Sequence, residues 1–294
     1  MRTGETIKYI RMSKGIKAVN LYKSILSKQA AIKFENGKSD TTIEKFFMLL
    51  DRLNISLEEY DEIYRAKNNN DYYFTGQYIK LFYQKNIDGL RQLKEVATKE
   101  YENTLSEKFR HYASLIQLLI DYLNNNKPCE TSLQIIKDYL NNCENWGYYE
   151  ITLFTNAMIH FSGEYIDSVY GRVKKKITVQ SKKLVRYRNE KAIILFNILE
   201  KKMIDQEIDK IKFYINELLQ LKDETLDNMY TQTMIKYFVT LANAIFEKNF
   251  HGDIELQINK IIDFFIFIDM TSKSNQCRDF YMKLKNIYVS SSAV

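Results

Sequence analysis

Apolar residues recur at intervals of three and four along most of the chain, with short polar segments between the runs. This is the spacing of amphipathic helices, whose apolar stripe faces a core. In the first 67 residues, capping signals divide the pattern into five short helices. We expect these helices to begin near Thr3, Lys17, Lys28, Thr41 and Ser56.

The third of these helices has the clearest boundaries. Ser27 can cap its start, Ala31 and Phe34 would face inward, and Gly37 follows its last turn. Only a tight turn separates it from the second helix. Five short helices with such a turn between the second and the third are the layout of a helix-turn-helix domain.

The fourth helix is predicted from a capping box. Thr41 and Glu44 have the spacing at which a hydroxyl and a carboxylate each bind the other residue's backbone N–H group. From that start, helical spacing would bury Phe47, Leu50 and Leu53.

From residue 71 onward the pattern predicts eleven longer amphipathic helices joined by short links. Short links make consecutive helices pack as antiparallel neighbours. Helix pairs that recur about every 35 to 45 residues are typical of a tetratricopeptide-like α-solenoid. We therefore predict a helix-turn-helix domain over residues 1–67 and a helical-repeat domain over residues 71–294.

Composition supports an all-α fold and adds one local feature. The chain of 294 residues has a single proline and nine glycines, so turns must be short and helices many. Residues 1–38 contain nine Lys and Arg but only two Glu, which places the excess positive charge within them. Such a local excess can form a surface that faces a polyanion.

The N-terminal segment resembles a known family. The strings GETI at residues 4–7, LSK at 26–28, KFENG at 33–37 and LDRLNISLEEY at 50–60 are similar to the Cro/repressor-type domain of Rgg-like and PrgX-like regulators. These are peptide-pheromone-responsive transcription factors of low-GC Gram-positive bacteria. The resemblance is dense over residues 3–60, and the remainder agrees with it in helix content and length. It implies a DNA-binding regulator of quorum-sensing type, controlled by a short intracellular peptide.

The resemblance also implies that the third helix enters the major groove of double-stranded DNA. Lys28, Gln29 and Lys33 would project from this helix. Ser27 begins it, and Arg11 would either lie near a phosphate or brace the domain. A Gln side chain can bridge the N6 and N7 atoms of adenine, while Lys addresses guanine acceptors or phosphate.

The chain departs from the family pattern within this helix. Residues 30–32 are Ala, Ala and Ile, where many relatives carry a polar residue shortly after the Ser-Lys start. Fewer side chains can then read bases through hydrogen bonds, which favours weak or shape-dependent recognition.

One polar residue recurs in the predicted repeats. Asn156, Asn197 and Asn243 each interrupt an apolar helical segment, at separations of 41 and 46 residues. An Asn amide can both donate to and accept from the backbone of an extended peptide. One hypothesis is a peptide along the concave face of the repeat domain, held by these residues and flanked by Tyr149 and Phe154. The alternative is that each Asn caps or bridges helices within the core.

Other chemistry is sparse in the sequence. The three histidines lie far apart, and no Walker A, GxGxxG or GxSxG motif occurs, so we expect neither an enzyme nor a cofactor. No four-ligand metal spacing is visible either. Residues 172–188 contain eight Lys and Arg and no acid. A second nucleic-acid patch, a collar for an acidic peptide terminus and a solvated helix face all fit this basic run.

The sequence favours a cytoplasmic protein without a membrane partner. Residues 1–12 are charged and amphipathic, unlike a secretion signal. The most apolar run, residues 261–270, contains two Asp and is too short to span a bilayer. Three cysteines without a CxxC pair fit free thiols in a reducing compartment.

Two classes of function remain. The first is a ligand-controlled transcription regulator that binds a two-fold related site as a homodimer, because a lone recognition helix reads only a few base pairs. The second is a helical-repeat scaffold whose degenerate helix-turn-helix domain contacts a protein partner.

Overall fold

In the computed structural model the chain consists of helices and connecting turns, with no strand among the residues that it describes, which are 2–68, 74–181 and 184–290. The prediction of an all-α fold is confirmed. The chain divides into two compact units, Met1–Gln84 and Lys85–Val294. Within the described ranges, none of the helices combines the length and apolar content needed to cross a membrane.

The first unit contains the five short helices expected from the sequence and, in addition, α6. Contacts assign α6 to this unit, whereas the boundary drawn from the sequence placed it in the repeat domain. Residues 69–73, between α5 and α6, lie outside the described residues. The helices are α1 Thr3–Ser13, α2 Ala18–Tyr22, α3 Lys28–Glu35, α4 Ile43–Leu53, α5 Leu57–Asn68 and α6 Phe74–Tyr83.

Helices α1 to α5 pack around one apolar cluster. Ile7 of α1, Leu21 of α2 and Phe34 of α3 are almost fully buried in it. The rings of Phe46 and Tyr60 meet edge to face with centroids 4.8 Å apart, which joins α4 to α5. This cluster gives the unit a core of its own.

The start of α4 corrects one expectation. Thr42, not Thr41, caps this helix, because its hydroxyl accepts from the N–H group of Lys45 at 3.5 Å. The buried stripe is displaced by one residue at its first position. Phe46 therefore lies in the core, while Phe47 is 48% exposed.

The second unit contains the longer helices that the sequence predicts. In its described residues these are α7 Ile87–Thr104, α8 Glu107–Leu123, α9 Glu130–Asn142, α10 Tyr148–Ala157, α11 Gly163–Ser181, α12 Val185–Ile204, α13 Ile208–Leu219, α14 Met229–Phe246, α15 Asp253–Phe267 and α16 Thr271–Ser290. Two single 3₁₀ turns, Met158–His160 and Asp223–Thr225, lie between them.

These helices form two packed layers. Helices α8, α10, α12, α14 and α16 contact one another and are called the even-numbered layer below. The rings of Phe196 on α12 and Phe238 on α14 stack with centroids 5.2 Å apart. In the other layer, the Tyr170 hydroxyl of α11 donates to Glu217 of α13 at 2.9 Å. The stacked helix pairs are those of an α-solenoid, as the repeat spacing predicts.

Candidate nucleic-acid interface and ligand surface

The turn before α3 sets the position of that helix. The N–H group of Leu26 donates to the carbonyl of Tyr22 at 3.0 Å, and Ser24 takes a φ of 64°. The Ser27 hydroxyl then caps α3 by accepting from the N–H group of Ala30 at 3.3 Å. The tight turn expected between the second and third helices is therefore present.

A side chain from α4 holds the same turn. The guanidinium of Arg52 donates to the carbonyl of Leu21 at 2.9 Å and also to the carbonyl of Lys23. These carbonyls lie at the end of α2, where a helix leaves its last acceptors unpaired. Arg52 thus satisfies the end of α2 and fixes the path into α3.

One face of α3 is open along the length of the helix. The opposite face packs into the core through Ala31 and Phe34. The exposed side chains make no hydrogen bond or ion pair with the part of the chain that the structure describes, so a partner can reach them. They are Lys28, Gln29, Ile32 and Lys33.

A shallow depression lies beside this open face. Its lining includes Gln29 and Lys33 of α3, Lys45 of α4, and Asp40, Thr41 and Thr42 between the two helices. The Thr41 hydroxyl is buried and has no hydrogen-bond partner among the described residues. The first turn of α4 begins at the same place, and the positive end of its helix dipole favours anions there. Lys33 and Lys45 therefore place two cationic side chains in the depression that can contact a backbone phosphate, beside the carboxylate of Asp40. Sequence reasoning did not single out Lys45.

Arg11 braces the first unit from within. Its guanidinium makes a bidentate pair with Glu35 at 2.6 and 3.0 Å and donates to the carbonyl of Ile16 at 2.9 Å. The side chains of Arg11 and Glu35 are only 13% and 10% exposed. The Tyr22 hydroxyl also donates to Glu35 at 2.9 Å. Of the two roles expected for Arg11, the geometry favours the brace, because its hydrogen bonds are directed inward.

The pair changes the acid–base properties of its members. Hydrogen bonding to Glu35 raises the pKa of Arg11 above its ordinary value. Burial, reinforced by the Glu35 carboxylate, raises the pKa of Tyr22 well above its ordinary value. Arg11 and Tyr22 therefore both keep their protons across the physiological range. Sequence reasoning missed Glu35, which looks like an ordinary surface acid at the end of a short helix.

The three recurring Asn residues lie on successive helices of the even-numbered layer. Asn156 is on α10, Asn197 on α12 and Asn243 on α14. The amide of Asn156 donates to the carbonyl of Thr152 at 2.9 Å within its own helix. Asn197 donates across to the carbonyl of Thr155 on α10 at 3.4 Å, and Asn243 is exposed. Asn197 thus bridges two helices, as the structural alternative requires, while the spacing of the three follows the repeat.

The two aromatic residues expected beside a peptide occupy different environments. The Tyr149 hydroxyl lies 2.9 Å from Nδ1 of His111, which connects α10 to α8. Burial lowers the pKa of His111 below its usual range, so the ring is neutral near pH 7. Phe154 is fully buried against Trp146 and Phe161. Contrary to the expectation, Phe154 offers no surface to a ligand, because its ring fills the core.

The basic run at 172–188 is partly neutralised by its neighbours. Lys174 pairs with a carboxylate of α13 at 2.7 Å. Arg186 lies over an aromatic ring of α10, 5.2 Å from the centroid, and Arg188 donates to a backbone carbonyl at 2.8 Å. Residues 182–183 lie outside the described residues. These contacts fit the reading of the run as a structural, solvated face.

Comparison with known families gives a match to the second unit. Residues 90–279 match the family model described as the C-terminal domain of the HTH-type transcriptional regulator Rgg. This match covers more than half of the chain.

Solved structures share the fold over nearly the full length. A candidate transcriptional regulator from Listeria monocytogenes EGD-e is 20% identical, with 99% of this chain and 98% of that chain covered and a TM-score of 0.81. The SHP pheromone receptor Rgg2 of Streptococcus dysgalactiae is 20% identical, with 96% and 99% covered and a TM-score of 0.73. A bacterial peptide pheromone/receptor complex is 18% identical, with 96% and 98% covered and a TM-score of 0.67. At these identities the likeness establishes the architecture.

Proposed function

The chain belongs to the Rgg family of HTH-type transcriptional regulators, and from that membership we propose that it binds double-stranded DNA through α3 under the control of a short peptide. In this proposal residues 1–67 form the DNA-binding domain. The helical-repeat domain, residues 71–294, holds the peptide and supplies the contact between two copies of the chain.

The open face of α3 is the observation that carries the DNA-binding proposal. Its polar side chains have no partner within the described chain, and the excess positive charge of the protein lies in the same 38 residues. Cations that are free to neutralise phosphates provide most of the non-specific affinity for DNA. The depression beside α3 adds Lys45 as a phosphate donor.

Each side chain of this face has a distinct task in the proposal. Gln29 reads adenine through its amide, and Lys28 and Lys33 address guanine acceptors or phosphates. Ser27 positions the helix as its cap, and Arg11 holds α3 against α1 through Glu35. Arg11 is therefore a positioning residue.

We assign the active form as a homodimer on a two-fold related site. A single module of this size buries too little surface for tight specific binding, and its recognition helix reaches only a few base pairs. Two copies held by the repeat domain would address two half-sites. Sedimentation at micromolar concentration, with and without operator DNA, tests this, and a monomer under both conditions rejects it.

The peptide proposal rests on the family and on the even-numbered layer. Relatives with this fold are a pheromone receptor and a peptide pheromone/receptor complex. Asn197 uses its amide N–H group on a helix carbonyl, and its amide oxygen can accept from a peptide backbone. Asn156 lies one repeat earlier, on α10. Asn243 is exposed, and Tyr149 adds an aromatic surface on the first of these helices. Main-chain contacts of this kind provide affinity while apolar neighbours select side chains.

Salt dependence of duplex binding distinguishes the two classes of function. If phosphates are neutralised, the logarithm of the binding constant of the full chain falls linearly with the logarithm of salt concentration. A scaffold whose N-terminal domain contacts a protein shows no affinity for duplex DNA at any salt concentration.

Mass spectrometry tests the ligand. The protein is purified from its own host under native conditions. Any peptide that acid releases from it is then sequenced by mass spectrometry. A short peptide in stoichiometric amount supports the proposal, and its absence from repeated preparations contradicts peptide control without affecting the DNA-binding result.

A further inference from the structure

Ile32 occupies the centre of the open face of α3. Its side chain is 53% exposed, although it is flanked in sequence by the buried Ala31. It lies four residues after Lys28 and three after Gln29, so these three side chains are neighbours on one helical face. From the sequence, Ile32 counted only as one of three apolar residues that cannot form hydrogen bonds with bases.

The fold of the first unit does not depend on this side chain. The apolar cluster and the residues packed against it do not include Ile32 among the described side chains. The residue contributes to α3 through its backbone, since its carbonyl accepts from the N–H group of Asn36 at 3.2 Å. With two lysines, a glutamine and an exposed isoleucine, this face fits a partner that is polyanionic and has an apolar group within reach.

The major groove of DNA has one apolar group on its base edges, the C5 methyl of thymine. Side chains at i and i+3 have Cβ atoms about 5–6 Å apart, whereas successive base pairs rise by about 3.4 Å. Neighbouring readers on α3 thus reach bases one or two steps apart. We propose that Ile32 contacts a thymine methyl one or two base pairs from the base read by Gln29. This apolar contact determines sequence specificity at a position of the helix that has no hydrogen-bonding side chain.

This inference rests on the proposed function, because it concerns the same duplex interface. A competing arrangement places Ile32 against deoxyribose, which every sequence presents. If Ile32 contacts the sugar, removal of the thymine methyl group leaves the affinity for DNA unchanged. If Ile32 contacts the thymine, removal of the methyl group lowers that affinity. The two arrangements therefore differ in a measurable way.

The test begins with the full-length protein and a library of random duplexes, from which the preferred site is selected. Each thymine of that site is then replaced singly by deoxyuridine, which lacks only the C5 methyl. Loss of one buried methyl group predicts a decrease in affinity of about fourfold at one position of each half-site. The Ile32→Ala variant should lose a similar factor on the parent site and should not distinguish thymine from deoxyuridine at that position.

Two controls accompany the variant. Ile159→Ala removes a similarly exposed isoleucine, 47% exposed, from the second unit and should leave affinity unchanged. The melting temperature of Ile32→Ala should match that of the parent, because the side chain is outside the core.

The possible outcomes distinguish failure of the thymine contact from failure of sequence-specific DNA binding. If no preferred site emerges from the selection, sequence-specific DNA binding itself fails. If a site emerges but deoxyuridine is tolerated at every thymine, the methyl contact is refuted. A deoxyuridine effect that persists undiminished in Ile32→Ala refutes the assignment to this residue.

Discussion

Gly4 of α1 lies directly against the carbonyl group of Phe34 in α3. A Cβ atom added at Gly4 would stand 1.9 Å from the Phe34 oxygen and 2.5 Å from its carbonyl carbon. Both atoms belong to backbone, so no side chain can move aside. The close approach of α1 and α3 therefore requires glycine at this position.

Gly4→Ala should separate α1 from α3 and destabilise the first unit by about 3 kcal/mol or more. Thermal unfolding by calorimetry should show the loss, and duplex affinity should fall with it. Gly171→Ala is the matched control, because Gly171 lies exposed within α11 and an added Cβ meets nothing within 4 Å. That variant should gain about 0.5–1 kcal/mol. Equal stability of Gly4→Ala and the parent would contradict the close packing.

Arg11→Ala and Lys33→Ala should weaken DNA binding in different ways. Removing Arg11 leaves the carboxylate of Glu35 buried without its main partner, which costs roughly 2–3 kcal/mol of folding free energy. Lys33→Ala should leave stability unchanged and lower the slope of log affinity against log salt by about one. A lower salt slope for folded Arg11→Ala would instead place Arg11 on a phosphate.

Gln29→Ala should affect specificity more than overall affinity. Loss of the amide should cost roughly 1–3 kcal/mol on the preferred duplex and little on a random duplex of the same length. Competition assays with the two duplexes measure the difference. Equal losses on both would show that Gln29 contacts the backbone of the DNA.

Local signals in the sequence predicted local structure well. Ser27 caps α3 as expected, and Ser56 and Glu59 form a reciprocal capping box with bonds of 2.7 and 3.1 Å. Periodicity also located each longer helix of the second unit. These features depend on residues within one or two turns of each other, so the sequence contains the information directly.

Long-range contacts were not predictable in the same way. Two adjacent threonines could each have capped α4, and Phe46 and Phe47 could each have shared a face with Leu50. Glu35 pairs with Arg11 across 24 residues, and periodicity does not reveal that partnership. Phe154 shows a further limit, because an apolar residue in a core helix has the same pattern as one that lines a groove.

The stability of the second unit should depend on pH through its buried histidines. Burial lowers the pKa of His111 from 6.5 in the folded state, and the pKa of His160 is lowered for the same reason. The unfolded chain takes up protons on these rings first as pH falls. Stability is thus complete above about pH 6.5 and decreases as the pH falls through that value towards the folded-state pKa values.

His111→Gln should make the melting temperature less sensitive to pH between about 7.5 and 5. The control is His251→Gln, because His251 is 64% exposed and its replacement removes no buried ring. Thermal melts in a series of buffers give the comparison. An unchanged pH dependence in His111→Gln would show that this ring is not the titrating group.

Asn197 tests whether the row of amides binds a peptide or braces the fold. Its amide bridges α12 to the carbonyl of Thr155 at the long distance of 3.4 Å, so the bond contributes modestly to stability. If a peptide lies on the even-numbered layer, Asn197→Ala should weaken peptide binding by about 1–3 kcal/mol and change the melting temperature little. The probe is a fluorescent synthetic copy of the peptide that mass spectrometry identifies.

Asn243→Ala is the matched variant, because Asn243 is exposed and lies one repeat further along the same layer. It shares with Asn197 the proposed contact with a peptide but not the bridge to α10. Loss of affinity in both variants with little change in melting temperature therefore identifies the row as a binding surface. If Asn197→Ala lowers the melting temperature sharply while both variants keep full affinity, the amides serve the core. The peptide must then lie on other residues of the second unit.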